Sequence, residues 1–193
     1  MSDPKTDAAS GAHAIAPAWS DVTALGDTSY RLRLGGAFGS GWLARLCRGL
    51  ANQRISIERA HAMRAPNDAW NVELHVECLD GAAPVSGLPL LQLVAADAPE
   101  SGPLELERYQ LVASAAHGGT LQLTIEAEDT LGLLGSLLAQ LANLDLYPIE
   151  MHIETRNGRA EDQLWLYTDQ APLPTAEQQQ ALEKALDAAL CKS

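Results

Sequence analysis

The sequence has little positive charge and few aromatic residues. It carries 13 Lys and Arg against 25 Asp and Glu, a formal net charge of −12 over 193 residues. Because phosphate contacts need clustered Lys and Arg, this balance argues against nucleic-acid binding, and it also disfavours anionic membranes. No apolar run reaches the roughly 18 residues of a transmembrane helix, and the N-terminus lacks a signal-peptide pattern. The sequence therefore predicts neither a nucleic-acid partner nor a membrane partner.

Cysteines are also few, and their number is odd. Cys47, Cys78 and Cys191 lie far apart, which favours free thiols in a reducing compartment over a disulfide framework. The predicted location is the cytoplasm. No spacing in the chain supports a Ser-His-Asp, Cys-His or paired-carboxylate constellation. The sequence therefore predicts a protein that is not an enzyme, with no cofactor and no metal.

From Leu121 to Thr168 the hydrophobic period switches between that of a strand and that of a helix. Residues 121–126 alternate with period two, and the stretch that follows Gly132 has one apolar side. Two more strands follow, joined by the Asn-Gly turn at residues 157–158. Thr175 then opens a last helix, with Gln178 completing a capping box. The predicted order is strand, helix, strand, strand, helix.

These residues resemble the ACT domain, a small ligand-sensing module with a ferredoxin-like fold. Residues 129–134, Asp-Thr-Leu-Gly-Leu-Leu, are similar to the family motif Asp-x-Pro-Gly-Leu-Leu. Residues 141–144 at the helix exit and the Arg-Ala-Glu-Asp hairpin leading to Thr168-Asp169 are similar to the C-terminal ACT region of the bacterial PII uridylyltransferase/uridylyl-removing enzyme. The resemblance covers roughly residues 120–190 and implies a regulatory role in amino-acid or nitrogen metabolism.

The N-terminal half repeats this pattern. Adding 91 to Trp42, Leu43, Leu46, Cys47 and Leu50 gives Leu133, Leu134, Leu137, Leu138 and Leu141, and Gly41 becomes Gly132. With a one-residue slip, Ile57-Glu58 matches Ile149-Glu150, and Val72, Leu74 and Val76 match Leu164, Leu166 and Thr168. The prediction is an α+β fold of two tandem ferredoxin-like (ACT) modules, whose antiparallel sheets carry helices on one face.

The predicted division of the chain has three parts. Residues 1–27 form a flexible leader with a short ordered piece near Ala18 to Leu25, residues 28–116 a diverged ACT-like module, and residues 117–193 an ACT module. Leu90 to Ala98 is expected to be a helix and Leu104 to Ala115 a strand. Only seven strands are expected, so one sheet has either an exposed edge or an intruding strand. We expect the halves to pack together, and an edge or the Trp165/Tyr167 face to support a homodimer.

The resemblance implies a ligand site at the turn before the second-module helix. In ACT domains this turn meets the main-chain groups of an amino acid, usually where two modules pack. The implied ligand-binding residues here are Asp129, Thr130, Leu131, Gly132, Leu133 and Tyr147. Asp129 either holds the ligand ammonium or simply caps the helix. Leu131 replaces the family Pro, and Tyr147 stands where an Asn is common.

The first module departs further from the family pattern. Phe38 replaces the motif Asp, and Ser56 takes the Asn position. The glycines of residues 35–41 have the spacing of a dinucleotide turn, but a hairpin follows Met63 where a Rossmann half needs a helix. These departures leave two functions open, a non-catalytic amino-acid sensor that controls a regulated enzyme, and an interaction scaffold whose ligand pockets have decayed.

One strand carries a polar trio, Glu150, His152 and Glu154, on a single face. Such a trio offers ligands for a metal ion, but successive ligands lie about 6.6 Å apart along a strand, so another element would have to complete the site. A solvated or interface face is the favoured interpretation. Trp165 and Tyr167 are expected to meet another module, because aromatic residues are enriched at interface cores.

Overall fold

The computed structural model describes residues 17–65, 67–96, 102–168 and 173–190. The eight strands are β1 (Trp19–Ala24), β2 (Ser29–Gly36), β3 (Ile55–Arg64), β4 (Trp70–Cys78), β5 (Arg108–Ser114), β6 (Thr120–Glu128), β7 (Tyr147–Arg156) and β8 (Arg159–Tyr167). The four helices are α1 (Trp42–Asn52), α2 (Leu90–Ala95), α3 (Leu133–Ala142) and α4 (Ala176–Ala189).

All eight strands belong to one antiparallel sheet with the order β1-β2-β4-β3-β7-β8-β6-β5. Residues 19–78 supply the first four positions and residues 108–167 the last four. Each half follows the same element order, strand, strand, helix, strand, strand, helix. The halves meet where β3 pairs with β7, so the expected packing of the halves within one chain is confirmed.

The helices and one face of the sheet enclose a single core. Alternate residues of every central strand point toward α1 and α3, as period two requires. The leucine side chains on one face of each helix pack against them. Leu137 and Leu46 are each no more than 1% exposed. The opposite sheet face carries mainly polar side chains. No helix within the described ranges is long and apolar enough to cross a bilayer.

Backbone geometry supports the internal repeat with an offset of 91. Gly41 and Gly132, which precede α1 and α3, both have positive φ, at 73° and 92°. Arg54 and Asp145, also 91 apart, both have positive φ although neither is glycine, at 59° and 55°. Such conformations are uncommon for non-glycine residues. Their recurrence at equivalent positions shows that both turns follow the same path.

Two details of the predicted repeat are wrong. Register shifts that bulge β3 at Glu58 and β7 at Ile149 make these two residues equivalent, so the offset stays 91 and no one-residue slip occurs. In β4 and β8, Leu74 is equivalent to Leu164, because they face Leu32 and Leu123 respectively. The β3–β4 turn is one residue longer than the β7–β8 turn, so the offset is 90 for β4 and β8. The predicted match of these strands is therefore two residues out, and the buried face is unchanged.

The expected count of seven strands is also wrong. Strand β1, which coincides with the short ordered piece expected near Ala18 to Leu25, provides the eighth strand. Strand β5 lies beside β6, so it joins the C-terminal half of the sheet although it precedes residue 117. The expected strand within residues 104–115, the helix within residues 90–98 and the capping box at Thr175 are confirmed.

Candidate functional site

Two pockets lie at the junction of the halves, at positions related by the repeat. The first, here called the Asp129 pocket, contains about 290 Å³ of space free of protein atoms, part of it open to solvent. The turn before α3 forms one wall, and the start of β3 from the other half forms the opposite wall. Its lining comprises Cys47, Ala51, Ile55, Ser56, Ile57 and residues 129–135.

The second, here called the Tyr147 pocket, contains about 480 Å³, again partly open. The turn before α1 faces the start of β7, just as the turn before α3 faces the start of β3 in the first pocket. Its lining comprises Phe38, residues 40–44, Arg64, Trp70, Leu138, residues 146–148 and Tyr167. Because each turn faces the other half, Asp129, Thr130, Leu131, Gly132 and Leu133 line the first pocket and Tyr147 lines the second. The six residues implied by the resemblance are therefore split between two sites.

Asp129 does not cap α3. The residue at the N-cap is Gly132, and no side chain caps the helix. The Asp129 carboxylate instead accepts a hydrogen bond of 3.1 Å from the Thr155 hydroxyl on β7. Burial raises the pKa of the Asp129 carboxyl above its usual range, and the Thr155 hydrogen bond opposes that rise. The carboxylate is therefore hydrogen-bonded to a strand of its own half rather than used to cap the helix.

Two further carboxyls lie close enough to Asp129 to interact with its charge. Burial, and then the charge of Asp129 among other groups, raises the pKa of Glu58 on the β3 bulge. Asp162 on β8 is 1% exposed, and burial followed by repulsion from Asp129 raises its pKa to about 7. Its Oδ1 atom has no hydrogen-bond partner among the described residues. Neither residue lines the pocket, so the Asp129 carboxylate is the group that a ligand cation would meet there.

The turn itself leaves room for a ligand to approach the backbone. Gly132 has a φ of +92°, a backbone conformation that residues with a side chain rarely adopt. The first-turn amides of α3, including those of Leu134 and Gly135, have no partners within the helix, as at any helix N-terminus. Partial positive charge there attracts a carboxylate. The pocket thus combines a carboxylate wall with an amide wall.

The Tyr147 pocket has different chemistry. Phe38 and Trp70 both pack against the ring of Trp42, at centroid distances of 4.8 and 5.1 Å. The Arg64 guanidinium lies 5.1 Å from the centre of the Tyr167 ring and hydrogen-bonds to its hydroxyl. Aromatic rings therefore occupy much of the position where the other half has Asp129 and its turn.

The three polar residues predicted on one face of β7 have different partners in the structure. Glu154 pairs with Arg59 and Arg156. Glu150 instead meets three histidines, with its carboxylate oxygens 2.7 Å from His152 Nε2, 2.8 Å from His117 Nε2 and 3.7 Å from His61 Nε2. His61 and His117 were not predicted at this position. The repeat makes His61 and His152 equivalent, which is a sign that β3 and β7 pair at these residues. A prediction of that register would have placed His61 beside Glu150.

The glycines of residues 35–41 have a packing role at one position. A side chain at Gly35 would collide with the indole of Trp19 on β1, the strand that pairs with β2. Gly35 therefore allows the aromatic ring to lie on the sheet. The dinucleotide interpretation gains nothing from this arrangement.

Comparisons with known proteins give no relative. No family model matches the sequence, no curated protein is significantly similar to it, and no solved structure matches its fold. The resemblance to ACT domains therefore rests on the residues quoted above.

Proposed function

We propose that the chain is a non-catalytic regulatory protein of two tandem ferredoxin-like modules that senses a small amino acid in the Asp129 pocket. The cytoplasm is the proposed location, and the response passes to a regulated partner enzyme or a second copy. The observation that carries this proposal is the pairing of each turn before a helix with a strand of the opposite half. A ligand in either pocket touches both halves, so its binding depends on how they pack.

The tandem-module interpretation rests on topology. A ferredoxin-like module runs strand, helix, strand, strand, helix, strand. Each half of this chain contains that order with the last strand moved to the front, so β1 and β5 take the edge positions beside β2 and β6. The four-stranded sheet of each module is then complete, and no strand is needed after α4.

Recognition in the Asp129 pocket follows from its two walls. The ammonium group of an amino acid pairs with the Asp129 carboxylate. The carboxylate group accepts hydrogen bonds from the amides that begin α3. Since the pocket contains only about 290 Å³ including its open part, the ligand side chain must be small or must extend past Leu131, which is 43% exposed.

The test is a thermal-shift screen of the twenty amino acids, followed by isothermal titration of those that stabilise the chain. We expect Asp129→Asn to weaken binding at least about tenfold, because a charged hydrogen bond is lost. Glu128→Gln is the matched control, since Glu128 is the adjacent exposed carboxylate. The decarboxylated amine of the bound amino acid should bind weakly, because it lacks the group that meets the amides.

Two results would count against the sensor. Equal affinity in Asp129→Asn and wild type would move the ligand away from this pocket. No binding by any amino acid would favour the scaffold function, for which the aromatic lining of the Tyr147 pocket is the supporting observation, since Phe38 there stands at the position of Asp129.

A further inference from the structure

Three of the five histidines in the sequence converge on one carboxylate. They lie on the sheet face opposite the helices, away from both pockets. His61 on β3 and His152 on β7 are direct cross-strand partners, and their rings are 4.7 Å apart. Glu150 precedes His152 by two residues on β7 and so shares its face. The cluster therefore bridges the pairing that joins the halves.

The donor atoms lie close to the spacing that a metal ion needs. One donor atom each from His61, Glu150 and His152 lie within 4.8 Å of one another. In a tetrahedral site with bonds of about 2.0–2.2 Å, donors lie about 3.4 Å apart. Glu150 Oε1 is already 2.7 Å from His152 Nε2 and 3.7 Å from His61 Nε2. Both imidazoles are 49% exposed, so they are free to turn the remaining distance.

His117 orients the carboxylate from outside this set. Its Nε2 lies 2.8 Å from Glu150 Oε2, which leaves Oε1 directed at the other two histidines. Metal-binding residues are commonly fixed by such a hydrogen bond from a second residue. The ring of His117 is also packed near Trp165, with centroids 6.5 Å apart.

We propose that His61, Glu150 and His152 bind a divalent transition-metal ion of the zinc class across the junction of the halves. Two imidazoles and one carboxylate suit Zn²⁺, Co²⁺ or Ni²⁺ better than Mg²⁺ or Ca²⁺, which prefer oxygen ligands. The three protein ligands leave a coordination position that faces solvent. The repeat provides no second copy of this site within the described residues, because the position equivalent to Glu150 is Arg59, whose guanidinium pairs with Glu154.

The experiment is titration of the full chain with Zn²⁺ by calorimetry, with Ni²⁺ and Mg²⁺ in parallel. We expect one Zn²⁺ per chain, no comparable heat with Mg²⁺, and a rise in melting temperature that a chelator reverses, because the metal ties β3 to β7. His152→Ala, His61→Ala and Glu150→Gln should each weaken binding at least about tenfold. Circular dichroism without metal verifies that these surface variants fold.

His75→Ala is the matched control. His75 lies 3.2 Å from Glu73 two residues away on β4, the same strand spacing as His152 and Glu150. This variant should bind Zn²⁺ as wild type does. An equal loss in His75→Ala, or wild-type affinity in Glu150→Gln and His152→Ala, would overturn the proposal.

Two further measurements sharpen the assignment. The absorption spectrum of the Co²⁺-loaded chain should lack a thiolate charge-transfer band, and such a band would assign the metal to cysteine and overturn the site. His117→Ala should weaken Zn²⁺ binding by about tenfold, and His117→Gln, which keeps an N–H donor, should restore it. Unchanged affinity in both variants would overturn the positioning role of His117.

Discussion

The two halves of the sheet place different side chains on equivalent backbone. Phe38 stands where the second half has Asp129, and Tyr147 stands where the first half has Ser56. The leucines that pack the helices against the sheet match closely, as Leu46 and Leu137 do. The apolar positions therefore preserve the fold, whereas the turn and one residue at the start of the following strand differ in chemistry between the halves.

Truncation of a buried leucine in each half tests whether the halves are equivalent in stability, and we expect it to have the strongest effect. Leu137→Ala and Leu46→Ala should each lower the free energy of unfolding by about 2–5 kcal/mol, because both side chains are fully buried between helix and sheet. Denaturant unfolding followed by circular dichroism measures the losses. A loss below about 0.5 kcal/mol for either variant would contradict the assigned helix face.

The next effect concerns Asp162, whose equivalent position in the first half is Val72. The pKa of Asp162 is about 7 in the folded chain against an ordinary value of 3.8. Between these values the folded chain holds more protons than the unfolded chain. The contribution of Asp162 to the free energy of unfolding therefore falls as pH rises from about 4 to about 7, and it stays low above that.

Asp162→Val should remove this penalty. We expect it to raise the free energy of unfolding at pH 8 by about 1–4 kcal/mol, with a much smaller gain at pH 4. Denaturant unfolding at both pH values gives the measurement. Val72→Asp is the reciprocal control and should destabilise the chain more at pH 8 than at pH 4. A gain that does not depend on pH would show that charge is not the cause.

The third prediction concerns the exchange of one lining residue, at positions 56 and 147, between the two pockets. Ser56→Tyr copies Tyr147 into the Asp129 pocket and should lower the affinity for any amino acid bound there at least about tenfold, because the ring occupies the ligand space. Calorimetric titration measures the affinity. Tyr147→Ser is the control in the other pocket and should leave that affinity unchanged. Equal loss in both variants would mean that the ligand lies in neither pocket alone.

Sequence patterns predicted most elements of the fold, because period-two strands, a leucine-striped helix and a capping box are local features. They gave only a short ordered piece at the position of β1 and no strand, since this exposed, polar segment resembles a flexible leader. They also missed the cluster of His61 and His117 around Glu150, which depends on strand register and on a turn. The sequence also did not show that the predicted ligand residues belong to two pockets. The pairing of β3 with β7 decides which turn faces which strand, and that pairing is not a local feature.

The smallest expected effect concerns assembly. Strands β1 and β5 end the sheet, and open edges are usually paired or covered. We expect light scattering at micromolar concentration to give twice the mass of one chain. Val112→Lys on β5, where Val112 is 39% exposed, should reduce that mass while changing stability by less than about 0.5 kcal/mol. Thr23→Lys at the matching position of β1 is the comparison, and a monomeric wild type would contradict the homodimer.

The pairing of β3 with β7 also bears on how the chain is made. All four strands of the first half are complete by Cys78, whereas β7 begins only at Tyr147. During synthesis the ribosome must therefore add dozens of residues while the edge of β3 that later pairs with β7 has no strand beside it. Domains fold in the order in which they are translated. We expect this interval to be when a nascent chain is most vulnerable to association with its neighbours on the same message.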